Sequence, residues 1–466
     1  MGLLRVFARS ALCALLLAQG ACARGGGPAG VPALGLDHLL KSSQVAGAIV
    51  AIARDGRLAE VHTYGYRNLH DRTPVDPDTH FEIGSITKQF TAAAILQLKE
   101  QRKLSLDEKL SAFLPAFPHA AEMTLRQLLY QTSGLPDYTE MPHFAERMSE
   151  SDAAAAGIAA FVSRPLDFKP GTKWEYSSTN YYVLGRVIAI VSHTTYDDYV
   201  RAHLFMPAAM RHSGFLSEEP RMQDFARPYV EGVPAPPTRE SWAGGAGSIV
   251  STAGDLVAWD TALASRKIIS RRDYVLMTSP AHLAGGAVTD YGMGISIDRR
   301  DGHRRLWHNG ATNGSVAINS VYPADGVDIV VLENSAGTDP GTVERFVLDR
   351  LFPDALATAR RPAKGETRDM RRRILPMIDG ILSGTLPVDR QAPVFRRFWL
   401  TRRNAIRTYF APFGPPQRET FKGSFDDGSG VWYRYRVEFA QDVRDCDVEI
   451  DKKSKLLENI AIAPPG

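Results

Sequence analysis

"FEIGSITKQFTAAAILQLKE", residues 81–100, decides how this chain is read. Gly84 and Ser85 give a turn and a cap, and Ile86, Phe90, Ala93, Ala94 and Leu98 recur at helical spacing, so a helix starts here. Four and seven residues on from Lys88 stand Ala92 and Ile95, which places the lysine on a face that otherwise reads as buried. Ser85, three residues earlier, shares that face. A buried ammonium is costly, and desolvation pushes a lysine toward the range where it accepts a proton, so beside a hydroxyl it reads as an activating base. The plainer reading is an N-cap serine next to a lysine that reaches out to solvent. Average composition produces about one or two Ser-x-x-Lys matches by chance in a chain of this length, so the pair needs corroboration.

The chain has 466 residues and a formal net charge of +3, enough for one large domain and a smaller one, and no charge excess that points to nucleic acid. Residues 1–23 carry two arginines, an apolar run and the small-x-small site Ala21-Cys22-Ala23. That is the pattern of a secretory leader, too short for a transmembrane helix, and it predicts a bacterial protein destined for the periplasm or the exterior. Cys22 is the less favoured alternative, a lipidation site, because Gln19 stands where such signals want Leu. Cleavage after Ala23 leaves Cys446 alone, so no intrachain disulfide is expected and stability must come from packing.

After a Gly/Pro-rich linker at 24–33, a short helix is expected over 34–43, then two strands meeting at Asp55-Gly56. A mostly helical stretch runs from Ser85 to about residue 275, including 152–163 and a helix carrying Leu184, Val187, Ile188 and Val191. Strands are expected at 292–299, 304–308, 314–322 and 327–333, with a last helix at 341–351. Strands at both ends and helices between them predict one antiparallel sheet flanked by helices, beside an all-helical lobe, an α+β sandwich over 34–352. Residues 355–466 read as a separate small basic α+β domain with net charge +7, against −4 for the rest. Arg371-Arg372-Arg373 and Arg402-Arg403 fall in its helices, and "ETFKGSF", "GVWYRYRVEF" and "VRDCDVEI" alternate as strands. A solvated charged helix is the favoured reading of that basic face, and contact with anionic membrane or cell-wall polymer the rival. No internal repeat, metal-type His/Cys cluster or cofactor motif stands out, and no His-x-x-x-His pair precedes His308-Asn309-Gly310.

Two further stretches corroborate the helix. "PGTKWEYSSTNYYVLGRVIAIV", 170–191, carries Tyr176 in a loop that enters a helix near Thr179, and "RRLWHNGATNG", 304–314, ends a strand at His308 before small residues that admit a neighbouring backbone. Alone, Tyr176 reads as packing and His308 as structural. Their order carries the weight: Ser-x-x-Lys at a helix start, Tyr-x-Ser 91 residues on, His-x-Gly 132 residues later.

This order resembles the serine β-lactamase and penicillin-binding protein superfamily, in its class C-like branch of DD-carboxypeptidases, D-aminopeptidases and esterases, over roughly residues 35–352. "LRQLLYQTSGLPDY" and "GGAGSIVSTAGDLVAW" look like connecting segments of that family. The resemblance implies a secreted serine hydrolase working through an acyl-Ser85 intermediate on an ester or D-amino-acid peptide. Close alternatives are a class C-like β-lactamase and a penicillin-binding sensor that deacylates slowly. It implies Ser85 as nucleophile, Lys88 as proton relay and Tyr176 as the base that passes the proton to the leaving group while two nearby cations lower its pKa. Ser178, His308, Gly310 and Ala311 are then substrate-binding, His308 polarising Tyr176 or holding a substrate carboxylate and the N–H groups of Ser85 and Ala311 forming an oxyanion hole. Partners so implied are a small ester, peptide or β-lactam and, further afield, peptidoglycan; cofactors, metals and nucleic acid are not. Ser178 stands where the family usually has Asn, His308 where true β-lactamases often have Lys, and Gln131 where the related segment tends to have His. These departures point away from efficient β-lactam hydrolysis.

Overall fold

The computed structural model describes residues 33–352 and 367–463, apart from 43–44, 150–153, 301, 337–338, scattered positions between 393 and 412, 427–429, 440–441 and 453. The expected leader at 1–23 with Cys22, the expected linker up to residue 32 and Arg402 lie outside the described residues. Helix α1 (Ala33–Ser42) leads into strands β1 (Gly47–Arg54) and β2 (Arg57–Asn68). Asp55 and Gly56 between them both take positive φ, 50° and 71°, as the tight turn of a twisted hairpin requires. The chain returns at β3 (Ser296–Arg300), β4 (His303–Ala311), β5 (Val316–Tyr322) and β6 (Val327–Glu333). With the two-residue strand Thr73–Pro74 they form a seven-stranded sheet. Its order is Thr73–Pro74, β2, β1, β6, β5, β4, β3, so the last long strand closes against the first, with Ala51 opposite Val330.

Strand β1 is buried on both faces, which its run of small and branched apolar residues allows. Successive side chains point to opposite sides. Ala48, Val50 and Ile52 pack with Leu36 and Leu40 of α1 and with Val347 and Leu351 of helix α7 (Pro340–Leu351), whereas Ile49, Ala51 and Ala53 join the larger core. That core holds helices α2 (Thr87–Glu100), α3 (Leu125–Leu129), α4 (Ala154–Val162), α5 (Ser178–Ser192) and α6 (Ala253–Ala264). Phe90 of α2 stacks on Trp259 of α6, ring centroids 4.0 Å apart.

Two expected strands shift. The segment expected from 292 begins only at Ser296, because Gly292 and Gly294 are pressed onto helical backbone; a Cβ on Gly294 would lie 2.5 Å from the Lys88 carbonyl oxygen. The strand expected to end at His308 instead runs through Ala311, paired in register with β5 as His308 with Asn319 and Gly310 with Ala317.

Residues 368–463 carry their own core. Helix α8 (Arg368–Ser383) lays Ile374, Met377, Ile378 and Ile381 on a four-stranded antiparallel sheet, β7 (Arg418–Asp426), β8 (Gly430–Glu438), β9 (Val443–Asp451) and β10 (Leu457–Ala463). Cross-strand pairs Arg434–Asp447 and Arg436–Asp445 lace β8 to β9. Arg371 and Arg372 face solvent. Cys446 is a free, buried thiol that burial pushes up to about 12, so it packs as a small apolar residue. Among the described residues no helix is long and apolar enough to cross a membrane.

A buried ion network pins α7 to the sheet. Glu344 accepts from Arg305 at 2.9 Å, from Arg300 at 2.5 Å and from the Tyr322 hydroxyl at 2.6 Å, and Arg305 also holds Asp298. Burial alone would raise the Glu344 carboxyl, but the two guanidiniums outweigh it and bring it down to about 2. A carboxylate lowered on folding from 4.5 contributes stability above that value and loses it as pH falls toward 2. Glu344→Gln should cost about 3–5 kcal/mol at neutral pH by leaving buried arginines under-compensated. Thermal melting against pH should also show a shallower loss between about 4.5 and 2 in the variant; parallel curves would refute the assignment.

Candidate active site

The nucleophile candidate stands at a sharp junction. Phe81–Glu82 pairs with Ile249–Ser251, Gly84 turns the chain at φ 48°, and a single 3-10 turn, Gly84–Ile86, precedes α2. Ser85 therefore does not cap the helix; no side chain caps its start. Its partly exposed hydroxyl instead meets the fully buried Lys88, whose Nζ donates to Ser85 Oγ at 2.9 Å and to the Ala246 carbonyl at 2.9 Å.

Tyr176 lies in the loop before α5, and its partly exposed ring sits with its centroid 4.9 Å from Lys88 Nζ; the Tyr181 ring is at 5.8 Å. Such separations are within the range of attraction between a cation and an aromatic face. Ser178 is buried in the first turn of α5. The amide in this neighbourhood comes from Asn180, which accepts from Ser133 Oγ at 2.6 Å and donates to Gln131 Oε1 at 2.5 Å.

His308 differs from its expected part. It is buried rather than lining an open strand edge, with Nδ1 bonded to its neighbour's Asn309 carbonyl at 2.6 Å and Nε2 3.1 Å from the Tyr291 hydroxyl. Since a carbonyl only accepts, Nδ1 carries the proton and Nε2 accepts from Tyr291. Burial first, and the Lys88 charge second, lower His308 to about 3. The ring is thus neutral at ordinary pH and offers no cation to a substrate carboxylate or to Tyr176, whose ring centroid is 5.9 Å away.

Gly310 and Ala311 bring β4 against the Ile83–Ser85 backbone. A Cβ on Gly310 would fall 1.9 Å from the Ile83 carbonyl oxygen and 3.3 Å from the Ser85 nitrogen, and one on Gly84 would fall 2.6 Å from the Ala311 nitrogen. This approach brings the Gly84–Ser85 and Gly310–Ala311 backbones into contact. Glu82, two residues before Gly84, is buried and raised by desolvation, and its Oε2 accepts from Thr238 Oγ1 at 3.4 Å.

Four contributors were not singled out as site groups in the sequence: the Ala246 carbonyl, Tyr181, Asn180 and Tyr291. Tyr291 had a signal, the Gly292-Met293-Gly294 spacing that marks close backbone approach; the Ala246 carbonyl had none, because any residue carries one. Among the described residues no cluster of His, Cys, Asp or Glu is placed to hold a metal ion.

A serine and a lysine in contact at a helix start, a tyrosine over the lysine and a glycine-bearing strand beside them form an arrangement of the kind that can support attack by an activated hydroxyl. Residues 36–352 match the Beta-lactamase family model, and the chain belongs to that family. It is 32% identical over 257 residues to the putative penicillin-binding protein PbpX of Bacillus subtilis, covering 53% of this chain and 61% of that protein. To the D-aminopeptidase of Brucella anthropi it is 27% identical over 282 residues, covering 59% and 54%. The chain thus spans little more than half the length of these relatives. Among solved structures, the D-amino acid amidase of Ochrobactrum anthropi SV3 superposes with TM-score 0.60 at 25% identity over 70% of this chain and 98% of that one. A penicillin-binding protein homologue from Pyrococcus abyssi, at 22% identity and TM-score 0.61 over 92% of this chain, shares the fold.

Gly310→Ala should force β4 away from Ile83 and slow labelling of Ser85 by a fluorophosphonate about a hundredfold, the scale of losing one oxyanion donor. Labelling at the wild-type rate would show that the approach is not needed. NMR titration of His308 should find it neutral down to about pH 4, and a midpoint near 6.5 would contradict its buried, neutral state.

Proposed function

We propose that this protein is a serine hydrolase that forms an acyl-Ser85 intermediate with a D-amino-acid amide or peptide, or with a simple ester. The observation that carries the reading is the buried Lys88 Nζ at 2.9 Å from Ser85 Oγ, with Tyr176 over it. Once Nζ has given up a proton, the same contact reverses and the Ser85 O–H donates to it. Oγ then bonds to the substrate carbonyl carbon, and the developing oxyanion accepts from the N–H groups of Ser85 and Ala311. Collapse breaks the carbonyl bond to the amine or alcohol, which leaves with the proton passed through Tyr176; water then attacks the acyl-serine by the same relay in reverse. The names of the relatives, D-aminopeptidase and D-amino acid amidase, support the amide substrate. The leader pattern at 1–23 supports export to the periplasm or beyond. Ser178 in place of Asn favours a second reading, a penicillin-binding protein that acylates and releases slowly.

Wild type should hydrolyse D-phenylalanine amide or p-nitrophenyl acetate, and Ser85→Ala should lose at least about a thousandfold of that rate, with no fluorophosphonate mass added to the intact protein. Undiminished turnover by Ser85→Ala would overturn the assignment. A penicillin adduct that persists without nitrocefin turnover would move the second reading ahead.

A further inference from the structure

We propose that Gln131 is a positioning residue of this site, holding the Tyr176 loop from beneath through its side-chain oxygen; the catalytic consequence rests on the hydrolase reading above. Gln131 is fully buried and sits at φ 60°, a left-handed conformation that side chains other than glycine adopt rarely and at a cost. That backbone lets one residue grip the loop on both sides of Tyr176. Its carbonyl accepts the Glu175 N–H at 3.1 Å, and its Oε1 accepts the Ser177 N–H at 3.1 Å and the Asn180 amide at 2.5 Å. The residues immediately before and after Tyr176 are thus tied to the same side chain and backbone unit. Neighbouring bonds keep Gln131 itself in place, since Thr132 N–H reaches the Gln127 carbonyl at 2.8 Å and Ser133 Oγ holds Asn180.

Tyr176 has no regular secondary structure to fix it, and a displacement of about 1 Å at a reacting group can cost about a hundredfold in rate. Two variants separate positioning from bulk. Gln131→Met keeps the length of the side chain and removes the accepting oxygen, whereas Gln131→Glu keeps an oxygen where Oε1 stands. In full-length protein, Gln131→Met should slow acylation per titratable Ser85 about 10- to 100-fold with KM changed less than about threefold. Gln131→Glu should recover most of that rate. By NMR hydrogen exchange, the Ser177 amide should exchange at least about tenfold faster in Gln131→Met, while the Glu175 amide, held by the backbone carbonyl, should change little. Acylation and Ser177 exchange at wild-type values in Gln131→Met would overturn the proposal, as would a folded Gln131→Glu as impaired as the methionine variant. If Gln131→Met fails to fold, Gln131→Glu alone decides: wild-type rate and protection support the grip, and loss of both refutes it. Should wild type itself never acylate, the hydrolase reading falls while the exchange data still judge the grip on the loop.

Discussion

An ammonium inside a packed helix is the constraint around which this molecule is arranged. Helix α2 is buried on almost every side, so each polar group on it needs a partner from another segment. The segment before Ile249 supplies several. Lys88 donates to Ala246, and Thr91 donates to Gly245 at 2.7 Å, while Gln89 accepts from Trp259 at 3.0 Å. Those carbonyls are within reach because Gly244 breaks the helical path at φ 43° and because Gly185 and Gly245 let two backbones touch. Alanines at 92–94 keep the rest of α2 thin. Lys88 Nζ is thereby given a carbonyl and a hydroxyl oriented to accept from it, and Ser85 stays partly exposed.

The second organising feature is the contact between an edge of the sheet and the start of that helix. The backbone pairing of β4 with β5 runs through Ala311, so the Ala311 amide is carried by a rigid ladder rather than by a loop. Gly84 and Gly310 remove the side chains that would keep the two backbones apart. Rigid placement of donors is what makes such a site effective, since no reorganisation is then needed as charge develops.

Electrostatics separates the lysine from the histidine. Both are buried, yet Lys88 has hydrogen-bond acceptors aligned with its protons, whereas His308 faces the lysine's charge and a hydroxyl that can donate. Lys88 is thus held as a donor to Ser85 and Ala246, and His308 as a neutral acceptor from Tyr291. Elsewhere the balance tips the other way. Two arginines hold Glu344 ionised in the core, and they anchor α7 across the sheet without a disulfide.

The sequence by itself determined the elements whose signal is local. The Asp55-Gly56 hairpin, the helix after Ser85, the central strands, three of the four strands of the last hundred residues and the Ser85–Lys88 pairing all follow from turn chemistry and periodicity within a few residues. The motif order also pointed to Tyr176 and to His308-Asn309-Gly310 at the end of a strand. Only the tertiary structure decided what these residues face. Ser85 gave up its expected cap because a 3-10 turn carries it toward Lys88, and His308 lost its expected charge because β4 turns it inward onto Tyr291. The Ala246 carbonyl, the Asn180 amide and the grip of Gln131 on the Tyr176 loop join residues 44 to 158 positions apart. Periodicity encodes which face of an element is buried, but hydrogen-bond partners so distant along the chain are chosen by packing, and no local pattern specifies them.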